Sequence, residues 1–249
     1  MSHTPHTSGP DEANFAQPLY TPIKRRSFFM YAGATAGATA LVLAGCKKDD
    51  ETVPTNNGIS LGTGDAGILN YAYALEQLEA AFYAQVKSTT PVGGAGLTQF
   101  EKDYFNEVAA HEAIHRDFFK AAINRDFPGK LLQNLTPDFS TIDFTQRVTV
   151  AGSGKLGVLN AAMAFEDLGV SAYNGAGKLI KTAAYLVVAG QIVSVEARHA
   201  AFVRDLISNG TFSDTADANG LDESRTPAQV LPIAQAYVKE KLDGSTVGV

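Results

Sequence analysis

Apolar residues recur along this chain at spacings of three and four, the signature of helices that bury one face. The pattern predicts four long helices, over residues 65–87, 98–124, 155–180 and 183–208. The first stripe reads Leu69, Ala72, Tyr73, Glu76, Glu79, Ala80 and Tyr83. The second reads Phe105, Val108, Ala109, Glu112, His115 and Phe119, and the third Leu159, Ala162, Met163, Glu166, Val170 and Tyr173. The fourth reads Leu186, Ala189, Ile192, Val193, Glu196, His199, Ala200 and Val203. Each core stripe therefore has a carboxylate set into it. An unpaired carboxylate in such a place costs several kcal/mol, so a partner must compensate it.

The breaks agree with the helices. Thr90-Pro91 and Gly93-Gly94 end the first, Pro128-Gly129 the second and Asn209-Gly210 the fourth. Thr98-Gln-Phe-Glu101 has the form of a capping box. Residues 130–154 lack a helical period and contain Pro137, with strand-like pieces over 142–150. A connection this long spans a bundle instead of making a hairpin, so the third helix is expected to enter from the opposite end. Thr226-Pro227 starts a short fifth helix expected to reach about residue 242, with a frayed end after it. The fold class is all-α: a four-helix bundle with a long crossover and a short C-terminal helix.

The two halves of the bundle are related. Asn70-Tyr-Ala-Tyr-Ala-Leu75-Glu76-Gln-Leu78 aligns with Asn160-Ala-Ala-Met-Ala-Phe165-Glu166-Asp-Leu168, and Tyr83 falls opposite Tyr173. Glu112-Ala-Ile-His115 likewise aligns with Glu196-Ala-Arg-His199. Four buried carboxylates repel one another, whereas two divalent cations neutralise four negative charges and two imidazoles add nitrogen ligands. Carboxylate and imidazole without thiolate suit iron or manganese, and zinc less well. Glu79 also lies on the first stripe, but its repeat partner is Gly169, so it is expected beside the site or in solvent. His111-Glu112-Ala-Ile-His115 also matches the His-Glu-x-x-His pattern of zinc proteases. The second copy has Val195 where His111 stands, so Glu-x-x-His is the unit that repeats and His111 is expected on the bundle surface.

One Glu from each of two helices and a Glu-x-x-His from each of the other two is the donor set of ferritin-like di-metal bundles. The chain resembles that superfamily over residues 66–208, and is similar to bacterial ferritin-like domain proteins grouped with plant desiccation-related proteins. The resemblance implies Glu76, Glu112, His115, Glu166, Glu196 and His199 as ligands of two metal ions, with Tyr83 and Tyr173 supporting them. It also implies metal oxidation or peroxide breakdown, with oxygen or peroxide as substrate. A metal-free scaffold with a non-catalytic role in the cell envelope is the alternative.

The N-terminus changes the setting. Lys24-Arg25-Arg26-Ser27-Phe28-Phe29 resembles a twin-arginine export motif, and an uncharged run to Gly45 follows it. Leu43-Ala44-Gly45-Cys46 resembles the lipoprotein cleavage box, which implies a signal peptide over 1–45 and a lipid anchor on Cys46. Lys47-Lys48-Asp49-Asp50-Glu51 is similar to a surface-export signal of Bacteroidetes lipoproteins, and residues 46–64 read as a tether. The expected location is the bacterial envelope, periplasmic or at the surface, with the membrane as partner and a dimer compatible with the pattern. Cys46 is the one cysteine, which excludes an intramolecular disulfide or a thiolate metal site. A net charge of −6 without a basic stripe argues against nucleic acid.

Overall fold

The computed structural model describes residues 58–89 and 96–249. The signal segment, Arg25, Arg26, Cys46 and most of the tether lie outside these residues, as does the Pro91–Gly94 break. Four helices carry the fold: α1 (Gly64–Thr89), α2 (Gln99–Asp126), α3 (Val158–Ala176) and α4 (Ala183–Ile207), followed by the short α5 (Pro227–Ala234). Two pairs of two-residue strands complete it: β1 (Ile59–Ser60) pairs in parallel with β4 (Leu242–Asp243), and β2 (Ile142–Asp143) with β3 (Leu156–Gly157).

The predicted capping box at Thr98 forms in full: the Thr98 hydroxyl accepts from the Glu101 amide, and the Glu101 carboxylate accepts from the Thr98 amide. This satisfies early amides of α2 that have no partner inside the helix. The crossover after α2 is held along α1 by two polar side chains. The Asn70 amide group donates to the carbonyls of Leu61 and Lys130, and its oxygen accepts from the Leu132 amide. Two turns further along the same face, the Gln77 oxygen accepts from the Leu135 amide. The chain then reaches the other end of the bundle, where Phe139 and Phe144 pack on Phe82. As expected, α3 enters there and runs antiparallel to α1, with Phe165 against Phe82 and Tyr173 beside Glu76.

Four expectations are corrected. α3 starts at Val158, not 155, because Leu156 and Gly157 pair with β2, and a Cβ on Gly157 would lie 2.2 Å from the Val148 carbonyl carbon. The fifth helix ends at Ala234, continuing as a single 3-10 turn over Gln235–Tyr237. Gln235 turns the chain by donating to the carbonyls of Val238 and Glu240 and accepting from the Leu242 amide. The end of the chain is consequently paired instead of frayed, and the Gly64 amide donates to the Val249 carbonyl. Finally, the first half of α4 is rotated from the expected stripe. Tyr185 takes the inward position, its ring on Phe127 and its hydroxyl on Asp126, which leaves Leu186 48% exposed and Ala189 and Val193 half-buried.

The apolar interior falls into two clusters. One gathers Leu61, Ile68, Leu75, Phe119, Ile123 and Val230; the other gathers Phe82, Val86, Phe105, Val158, Phe165 and Val203. The stripe carboxylates lie in a layer between them.

Candidate metal centre

Helical spacing brings all six predicted residues into that layer. Glu76, Glu112, Glu166 and Glu196 are fully buried, and His115 and His199 nearly so. They form two groups that share members: Glu76, Glu112, His115 and Glu196, then Glu112, Glu166, Glu196 and His199, with the ligating atoms of each group within 4.8 Å of one another. His115 Nδ1 lies 2.7 Å from Glu196 Oε1, 3.4 Å from Glu112 Oε2 and 3.6 Å from Glu76 Oε2. His199 Nδ1 lies 3.1 Å from Glu112 Oε1, 3.4 Å from Glu196 Oε2 and 3.5 Å from Glu166 Oε2. Glu112 and Glu196 thus each turn one oxygen to either imidazole, while Glu76 and Glu166 each serve one group.

Two tyrosines cross between the halves. Tyr83 of α1 donates to Glu166 Oε1 on α3, and Tyr173 of α3 donates to Glu76 Oε1 on α1. Each outer carboxylate thereby has one oxygen held by a phenol and the other facing a histidine. Burial and the adjacent carboxylates raise both tyrosines well above their ordinary range, so they remain neutral donors.

The electrostatics show how strained this donor set is by itself. Burial, then the charges of Glu196 and Glu112, push Glu76 well above the carboxylate range; burial likewise lifts Glu166 to about 8, against the pull of His199. Burial opposes charge on His199, but the surrounding Glu112, Glu166 and Glu196 override it and push it up to about 12. His115 rises to about 9 in the same way, burial being outweighed by Glu112 and Glu196. Glu196 is the exception: burial raises it, yet the two imidazoles pull it down to about 2. Glu76 Oε2, Glu166 Oε2, both oxygens of Glu112 and Glu196, and Nδ1 of both histidines are buried without a hydrogen bond of normal geometry. Inward-facing atoms of this kind are costly unless something coordinates them. Four carboxylates and two imidazoles converging without thiolate fit a pair of divalent cations.

Of two further positions, Glu79 takes one of its two expected places and His111 departs from expectation. Glu79 is buried, only 3% exposed, so the solvent alternative is excluded. Its carboxylate sits against its own repeat partner: a Cβ on Gly169 would lie 3.0 Å from Glu79 Oε1. Burial and the four other carboxylates raise it well above the ordinary value, so it is a neutral acid beside the centre. His111 is not a free surface residue either. Its Nδ1 is 2.9 Å from Nε2 of His199, and the rings are stacked at 10°. His111 and His115 therefore address different halves of the centre, which is incompatible with the shared single metal of a His-Glu-x-x-His protease. Tyr104, absent from the sequence reading, donates to the His199 carbonyl at 3.0 Å; nothing in its spacing marked it.

Residues 64–209 match the family described as Ferritin-like domain, and the chain belongs to that family. No curated protein matches the chain. The fold, an all-α ferritin-like helical bundle, and the buried Glu/His cluster are compatible with a di-metal carboxylate site.

Proposed function

We propose that this protein binds two divalent metal ions, iron or manganese, through Glu76, Glu112, His115, Glu166, Glu196 and His199, with Glu112 and Glu196 as the shared ligands. The observation that carries this reading is the division of the Glu112 and Glu196 oxygens between His115 and His199. A bound metal pair supplies one-electron chemistry and Lewis acidity toward oxygen or peroxide, in metal oxidation or peroxide breakdown. The chain's own contribution is positional. Tyr83 and Tyr173 hold the outer oxygens of Glu166 and Glu76, so that the remaining oxygens face inward. The apolar clusters on either side keep bulk water from the carboxylates and strengthen their hold on cations.

The setting we infer is the bacterial cell envelope, with a role in stress protection. Arg25-Arg26 before Phe28-Phe29 and the Leu43–Cys46 box support export and a lipid anchor on Cys46. Elemental analysis after anaerobic Fe(II) or Mn(II) loading tests the centre: about two equivalents per chain are expected, and under about a tenth of an equivalent overturns it. Mass spectrometry of exported protein tests the setting, where absence of acyl chains on Cys46 removes the anchor.

A further inference from the structure

The centre is built from a repeat, yet its two imidazoles are held differently. His199 is engaged at both ring nitrogens: Nδ1 faces Glu112, Glu166 and Glu196, and Nε2 meets Nδ1 of His111 at 2.9 Å. The two rings are nearly parallel, 5.2 Å between centroids, and the His199 carbonyl is tied to Tyr104. His115 is engaged only through Nδ1, and its Nε2 makes no side-chain hydrogen bond among the described residues. The repeat position that answers to His111 is Val195, which offers neither donor nor acceptor.

We propose that His111 is a positioning residue for His199, and that it makes the Glu166–His199 half the tighter of the two metal positions. The inference rests on the two-metal reading above and adds an order of loading to it. An imidazole that ligates through Nδ1 keeps its remaining proton on Nε2. His111 Nδ1, facing Nε2, is placed to accept that proton's hydrogen bond, which fixes the ring plane of His199 before a cation arrives and keeps the proton on Nε2 once Nδ1 ligates. Outer partners of this kind typically change metal affinity by about 10–100-fold, through ligand orientation and basicity. His115 lacks one, so a first equivalent goes to the His199 half.

The test is an anaerobic titration of the metal-free full chain with Mn(II) followed by electron paramagnetic resonance, and with Co(II) followed by its visible bands. Wild type is expected to fill in two resolved steps. His111→Leu should weaken the first step by about 10–100-fold, leave the second in place and alter the one-equivalent Co(II) spectrum. His111→Asn, which returns an acceptor oxygen near the lost nitrogen, should recover most of the affinity. Val195→His, which gives His115 an outer partner, should tighten the second step. Titrations of the Leu variant that superimpose on wild type overturn the proposal, as does an Asn variant no better than Leu. If the Leu variant melts with the fold lost, Asn against wild type and Val195→His decide the matter in the same way. Wild type that binds neither Mn(II) nor Co(II) overturns the two-metal reading itself, a failure distinct from loss of the difference between steps.

Discussion

The two halves of the bundle, α1–α2 and α3–α4, agree where the chain must face the centre and diverge one shell outward. Each half supplies a lone Glu, a Glu-x-x-His and a Tyr that reaches across to the opposite Glu. Even the Asn that opens each repeat has the same task, since Asn70 accepts from the Leu132 amide and Asn160 from the Thr149 amide. Beyond these positions the halves part company. Gln77 grips the crossover where its partner Asp167 pairs with Arg204; Glu79 fills the space left by Gly169; His111 braces one histidine while Val195 leaves the other unbraced. The lesson is that charge neutralisation constrains the donor set twice over, whereas packing at the next layer is free to differ.

The largest way to break this symmetry is to remove a shared ligand. Glu112→Ala or Glu196→Ala should drop metal content from about two ions to one or fewer, because each carboxylate serves both groups. Glu76→Ala and Glu166→Ala should instead each spoil one position, and elemental analysis of the four variants checks the contrast.

A second comparison sets the metal-free protein against the loaded one as pH changes. Folded Glu166 holds its proton to about 8 and folded His115 to about 9, whereas the unfolded chain releases them near 4.5 and 6.5. The folded state binds more protons in that window, so metal-free protein should lose stability as pH rises from about 5 to about 9. Glu196, held down at about 2, works the other way, and its contribution is present above 4.5 and lost as pH falls toward 2. Metal binding displaces those protons, so stabilisation by Mn(II) should grow over the same rise. Thermal midpoints with and without Mn(II) at several pH values measure both slopes; parallel curves would contradict the assignment.

Asn70 and Asn160 sharpen the comparison at smaller scale. Asn70 is buried and makes three hydrogen bonds to backbone, so Asn70→Ala should cost about 1–3 kcal/mol, whereas half-buried Asn160 should cost about 1 kcal/mol or less. Denaturant melts of the two variants compare them. Least affected should be Glu79→Gln. A carboxyl already held neutral by its surroundings loses little on conversion to an amide, within about 1 kcal/mol, and metal content should stay level, unlike Glu76→Gln.

Much of this arrangement was legible in the chain because a helix converts sequence spacing directly into a shared face. Glu112 and His115 converge by being three apart, and the duplicate at Glu196 and His199 tells which carboxylates belong together. What escaped was decided by contacts between elements. Tyr185 lies half-buried against the core and Leu186 is turned outward because Asp126, the last residue of α2, and Phe127 just after it offer the Tyr185 hydroxyl and ring a place, which no period within α4 records. His111 looked peripheral beside Glu112 because its partner lies 88 residues away. The end of α5 turned on one glutamine, Gln235, reaching backbone on the far side of a bend.

Glu101 began as a helix cap, but its second oxygen accepts from Arg147 Nε at 2.8 Å and Nη2 at 2.5 Å, and Arg147 reaches on to the Leu206 carbonyl at 3.1 Å. One buried carboxylate therefore joins the start of α2, the crossover and the last turn of α4. Detaching the crossover means stripping the guanidinium from a charge that cannot follow it into water, and uncapping α2 does the same from the other side. The three segments should therefore open together as one cooperative unit.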